Sequence, residues 1–467
     1  VSIETGGTEA IEVGLDKLSF VMGGSSDFLE VTEFSGGIYW ADQELQARMD
    51  RIRLGQSEGT GVAVLSLLEE RGFSFSLNLS STGFDLDDLR WLSPNLPIGQ
   101  GRGDFQFSAN PSATEVRWGN LELDLGSGQI IANGLFGKPD GGMVILEDVL
   151  LDLVNVPLGT IADYVPNLQK FSAFSEDIPL EGLVSGHIDL SGSLDTMVVS
   201  AGLALTELGS IETQATVEGV LHLNPPFGVS NLEFGLIPLD LELLNQITAD
   251  LSLTGAVNFD ILADGRIDEG IGLVVQGSYG DGNSEESQVV LEGTLAELEG
   301  DVRISLNGTL EPLVISDFIS RESLFSNLGV ARGAVRIDGT AKKLSMRTDL
   351  VTRDGDFSLD TDIDWTAPLS RYRIVGIGRN FEASELVPQL PKGTMITGSM
   401  SLDGTGEALG TVDLHGEVDL VGSTLGVLPV ETLQLSVTLS DSVLDFDTVS
   451  ANVGGVYLEG SGQIGTL

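Results

Sequence analysis

Few residues in this chain are of types and spacings that do chemistry. Its 467 residues include three histidines, His187, His222 and His415, and no cysteine. The histidines are far apart, with no His-x-x-x-His or His-Glu pairing of the kind that holds zinc. Each falls in a strand-like phrase whose pleat is expected to turn it to the polar face. No Gly-x-Ser-x-Gly elbow and no Gly-x4-Gly-Lys-Ser/Thr loop is present. Gly99-Gln-Gly-Arg-Gly103 is glycine-rich but leads into a strand, not the helix that a dinucleotide fingerprint requires. Asp281-Gly-Asn283 and Asp354-Gly-Asp356 could offer oxygens to calcium, yet neither fits the EF-hand loop. Carboxylates are plentiful enough for a glycosidase pair. Only Trp40, Trp91, Trp118 and Trp365 could stack on a sugar. No catalytic residue, metal or cofactor is therefore expected. A carbohydrate-active β-helix enzyme is the catalytic alternative, and it needs its carboxylates gathered in one cleft.

Charge narrows the partners. There are 70 acidic and 23 basic residues, a formal net charge of −47. Phosphate backbones are bound by clustered Lys and Arg, so nucleic acid is not an expected partner. The acids alternate with apolar residues along the chain, which reads as a wet outer strand face.

That alternation is the main signal. Gly186-His-Ile-Asp-Leu-Ser-Gly192, Gly333-Ala-Val-Arg-Ile-Asp-Gly339, Gly398-Ser-Met-Ser-Leu-Asp-Gly404 and Gly416-Glu-Val-Asp-Leu-Val-Gly422 are copies of one phrase. Looser copies start at Gly103, Gly255 and Gly300. A period of two puts the apolar side chains on one strand face. The expected fold is all-β: an elongated, curled antiparallel sheet, solenoid-like or "taco"-shaped, with short helices between strand modules. Turn residues every 8–12 positions suit such an array. Aromatic residues are 6% of the chain, so Leu, Val and Ile carry most of the apolar face. Its expected members are Phe105, Phe107, Ile188, Leu190, Val257, Phe259, Ile261, Val302, Ile304, Leu306, Val335, Ile337, Met400, Leu402, Val418 and Leu420. For any one of them an ordinary packed core is the plain alternative.

A longer rhythm lies on top. Five helix-compatible stretches, Phe84–Leu92, Leu158–Val165, Leu239–Asn245, Ile315–Ser320 and Ala383–Leu390, each precede a Gly-led strand. They divide one continuous repeat array, residues 1–467, into approximate modules 1–83, 84–157, 158–237, 238–312, 313–382 and 383–467. Helices this short need a surface to hold them. Leu86, Leu89, Trp91, Leu92, Ile161, Leu241, Leu244, Phe318 and Leu386 are the residues expected to press on the sheet, as a fixed cover or as a movable lid. No apolar run approaches the ~18 residues of a membrane span. The chain starts without Met and stops just after a strand phrase, which reads as an internal stretch of a longer protein.

A short Asp/Leu-rich helix, a Pro-containing turn and then Gly-x-apolar-x-apolar-x-Gly resembles the AsmA-like superfamily, most closely its TamB branch. The stretch Ile38–Leu54 has the same look. The resemblance spans essentially the whole chain and rests on pattern. It implies a hydrophobic groove that carries phospholipid acyl chains between the inner and outer membranes of a double-membraned bacterium, and a role in outer-membrane biogenesis. It also implies a periplasmic location, membrane attachment through segments outside this chain and an outer-membrane barrel partner. The rival expectation is a secreted structural or adhesive β-solenoid with a packed interior.

Overall fold

The computed structural model describes residues 2–6, 10–23, 28–67, 72–89, 98–162, 182–193, 195–206, 212–240, 256–279, 286–298, 301–314, 330–340, 342–353, 355–366, 370–386, 390–406, 413–440 and 443–465. Among these residues it is all-β, with 27 strands, most of them 10–14 residues long. The described strands are longer than the turn spacing suggests. Many turn-type residues lie inside strands, at bulges and creases, rather than ending them. Every described pairing is antiparallel and joins strands adjacent in sequence. Tyr279 pairs with Ser287, so the strands Ile271–Tyr279 and Ser287–Leu298 are antiparallel neighbours; residues 280–285 between them lie outside the described residues.

The strands fall into two compact units. The first runs from Ser2–Gly6 to Thr213–His222, the second from Ala256–Arg266 to Val456–Gly465, and the strand Gly228–Asp240 is divided at Ser230 and Asn231.

Within each unit the long connections recur every four strands. In the first they are residues 86–99 and 158–182; in the second, 315–329 and 383–394. Successive strands run in opposite directions, so an even number of strands returns the chain to the same margin of the sheet. Helical turns are seen at three of these places. They are a 3₁₀ turn at Leu86–Leu89, a helix at Leu158–Ala162 and a turn at Ala383–Leu386. The expected helices at Leu239–Asn245 and Ile315–Ser320 lie largely or wholly outside the described residues. Leu239 itself is still in a strand.

The deepest packing lies along this margin. Val156 and Val184 are sealed from solvent with Leu153, against Leu125, Ile130, Leu158, Ile188, Leu203 and Leu205. In the second unit Ala331 and Leu350 pack with Leu310, Leu313, Phe357 and Phe381.

Two backbone devices shape the sheet. The first is a bulge that reverses the pleat. Asn120, Asp148, Asn155, Asn231 and Asn380 all have φ between 46° and 51°. Asn and Asp tolerate this left-handed geometry because their side chains bond locally. Ladder pairings jump at four of these positions: Trp118/Leu121, Leu146/Val149, Leu153/Val156 and Gly378/Phe381. The amide freed at several bulges finds a side-chain oxygen on the next strand. Asn120 N donates to Asn133 Oδ1 at 2.8 Å, Asn155 N to Ser185 Oγ at 2.9 Å and Asn380 N to Thr397 Oγ1 at 3.0 Å. After the bulge the apolar residues change parity. Trp118 gives way to Leu121, Leu153 to Val156 and Gly378 to Phe381.

The second device is a crease at the leading glycine of the repeated phrase. A Cβ on Gly333 would overlap the backbone carbonyl oxygen of Asp349 on the next strand. Gly186 and Gly398 meet the carbonyls of Gly202 and Asp419 in the same way. Glycine here lets the neighbouring backbone close in on the apolar side, an approach that any side chain would block. Gly416 differs, since the Val437 side chain is nearest, at 3.1 Å, and the nearest carbonyl oxygen, of Ser401, is at 3.8 Å.

Candidate functional site

The cross-strand registers assemble the apolar residues into rows. In the second unit four such rows cross eleven consecutive strands, from Ser287–Leu298 to Val456–Gly465. One reads Leu291, Gly308, Val335, Thr348, Leu359, Gly376, Met400, Val418, Leu435, Val449, Gly460. The row beside it contains Leu306, Ile337, Ile374 and Leu402; the outer two contain Ile304 and Leu420. No position in the four rows carries a charged side chain. The two preceding strands bring Phe259 and Ile261 into the same rows, through Gly277 and Val275. Directly opposed residues share a face, so the register brings together ten of the sixteen residues named from the sequence.

Two others in this unit fall at the sides. Val257 pairs with Tyr279 near the buried margin. Val302 stands opposite Glu297, beyond the uncharged rows. In the first unit Phe105 and Phe107 lie between Leu79 and Trp118 and between Leu77 and Val116. Phe105 meets Phe84 edge-on at 5.9 Å, and Phe107 meets Phe75 at 5.8 Å. Ile188 and Leu190 face Leu151 and Val149 on one side, Ala201 and Val199 on the other. Phe84, Val156, Leu313 and Phe381 also join these faces. Plain alternation misses them because each follows a bulge. An Asn or a broken apolar parity just before them is the available signal in several cases.

Exposure grades along the face. Val335 is 7% exposed and Met400 44%. The described helical turns contact chiefly the strand next to each of them in sequence.

The first helical turn is fastened down. Leu86 is buried, and its amide bonds the Gly99 carbonyl at 2.9 Å. Asp88 Oδ2 accepts from Gln56 N, Ser57 N and Ser57 Oγ at 2.7–2.8 Å, while Ser57 Oγ accepts from Asp85 N. The turn starts two residues later than the sequence suggests, because the chain stays in the sheet through Asp85. Leu89, Ile161 and Leu386 fall in described helical turns. Trp91, Leu92, Leu241, Leu244 and Phe318 lie outside the described residues. Asp88→Ala removes three bonds to one carboxylate oxygen. Amides of Gln56 and Ser57 are expected to exchange about tenfold faster or more, with little change in strands of the second unit. Unchanged exchange at 55–57 would show that the clamp does not hold the turn.

The opposite face is wet and carries exposed ion pairs: Arg303 with Asp338, Lys343 with Asp364 at 2.9 Å, Arg51 with Glu58 at 2.7 Å. The hydrogen bond from Arg303 holds the Asp338 carboxyl below the usual range. Bonds from Thr366 and Lys343 do the same for Asp364. Such pairs contribute little to stability. His187 and His415 are on this face. His222 is half-buried, between the Asp195 carbonyl and Ser230 Oγ. No cluster of potential metal ligands and no helix long and apolar enough to cross a membrane occurs among the described residues. Comparison with known proteins finds no family model that matches the chain, no similar curated protein and no similar solved structure.

Proposed function

We propose that the uncharged strand face is a groove for lipid acyl chains, and that the protein carries or holds lipid between the inner and outer membranes of a bacterial envelope, as its resemblance to AsmA- and TamB-like proteins implies. One observation carries this reading: four adjacent rows without a charge across eleven strands. A face of that extent is a liability in water unless hydrocarbon covers it. An acyl chain lying along a row gains about 0.8 kcal/mol for each methylene removed from water, with no specific contact needed. Periplasmic placement, membrane attachment and a barrel partner belong to the same proposal and rest on the sequence pattern.

The test is mass spectrometry of organic extracts from gently purified protein. Co-purifying phospholipid at about one molecule or more per chain is expected. Lipid-free protein that also fails to take up a fluorescent fatty acid would overturn the reading in favour of a structural β-protein.

A further inference from the structure

The four rows of the second unit carry three side chains with polar groups, Thr348, Thr361 and Tyr372. They stand on three consecutive strands, Lys343–Thr352, Gly355–Asp364 and Arg371–Glu382. Each is one strand and one row from the next. Thr348 lies opposite Leu359, two residues from Thr361, and Thr361 lies opposite Ile374, two residues from Tyr372. Diagonal neighbours of this kind are about 7–8 Å apart at the backbone. The three hydroxyls therefore form an oblique line on an otherwise hydrocarbon floor.

None of the three has a hydrogen-bond partner among the described residues. Thr348 is 7% exposed as a residue, yet its hydroxyl is not one of the fully buried unpaired polar atoms, so the hydroxyl itself remains reachable. Burial pushes the Tyr372 phenol up, so it stays protonated and able to donate. The Tyr372 ring also lies against Gly404, where a Cβ would come within 2.8 Å of it.

Resting on the acyl-chain reading, we propose that Thr348, Thr361 and Tyr372 form a polar station on the groove floor that donates hydrogen bonds to the ester carbonyl of a glycerolipid. Hydroxyl donors suit an uncharged acceptor. No cation stands in the rows, so the station recognises the ester and not a phosphate.

The experiment compares binding of methyl oleate and 1-octadecene, two chains of similar length with and without the ester, to the whole chain and to Thr348→Val/Thr361→Val/Tyr372→Phe. These changes keep shape and remove only hydroxyls. Methyl oleate is expected to bind the unaltered protein about tenfold tighter, and the variant to lose that margin while octadecene affinity stays the same. Monooleoylglycerol and lysophosphatidylglycerol share the ester but differ in phosphate, and both should weaken alike in the variant. An unchanged ester preference, or a response from the phosphate-bearing lipid alone, overturns the station. If neither chain binds the unaltered protein, the acyl-chain reading falls first and the station with it.

Discussion

Gly333→Ala is expected to destabilise its hairpin by about 2–4 kcal/mol, although it adds a single methyl group. In most strands this exchange is favourable by a few tenths to about 1 kcal/mol, because it restricts the unfolded chain. At Gly333 the new Cβ would overlap the Asp349 carbonyl oxygen, which belongs to the backbone and cannot rotate away. Relief requires the strands Val330–Thr340 and Lys343–Thr352 to separate or the crease to flatten. Flattening would also pull Leu350 from Leu310 and Phe357, its partners in the buried cluster. Gly378 is the control in the same unit: it lies in the row beside Val335, yet nothing stands within 4 Å of a Cβ there. Gly378→Ala should be neutral or slightly stabilising. Hydrogen exchange is the suitable readout, since a repeat array need not unfold in one step. Protection should fall in strands 330–340 and 343–352 for Gly333→Ala and remain for Gly378→Ala. Equal behaviour of the two variants would mean that glycine does not crease the sheet.

The second large effect concerns the floor. Met400→Asp places a charge in the middle of an uncharged row at a position 44% open to solvent. Its cost to folding should be within about 1 kcal/mol, as for other accessible sites. The cost to a bound acyl chain is larger. Keeping two to three methylenes away from the carboxylate forfeits about 2 kcal/mol, or some thirtyfold in affinity. Val335→Asp should lose lipid as well, but with a folding defect, because Val335 is 7% exposed and a lone carboxylate there has no partner. Met400→Leu keeps the floor apolar and should retain lipid. The informative pair is therefore Met400→Asp against Met400→Leu, measured as lipid recovered per folded protein. Equal recovery would count against an occupied groove at this row, whatever Val335→Asp does.

These two positions also mark where sequence reasoning works and where it stops. The phrase Gly333–Gly339 reveals a strand, its apolar face and its neighbours in that face, because side-chain direction in a strand follows a period of two. The same rule places Met400, Leu402, Val418 and Leu420 together without any knowledge of the fold. It fails at Phe84, Val156 and Phe381, where one inserted residue reverses the pleat. A bulge depends on the partner strand as much as on its own residues: Asn155 needs Ser185 to take its amide, and Asn380 needs Thr397.

Tertiary structure alone decided two further matters. The motif glycines look like turn residues in the sequence, and several prove to be creases, since only the approach of a neighbouring carbonyl distinguishes the two. Thr348, Thr361 and Tyr372 are scattered over 25 residues and have no pattern. Pairing three strands sets them on one diagonal. Alternation is local physics and is written in the chain. Register and close approach are agreements between strands, and they exist only once the strands have met.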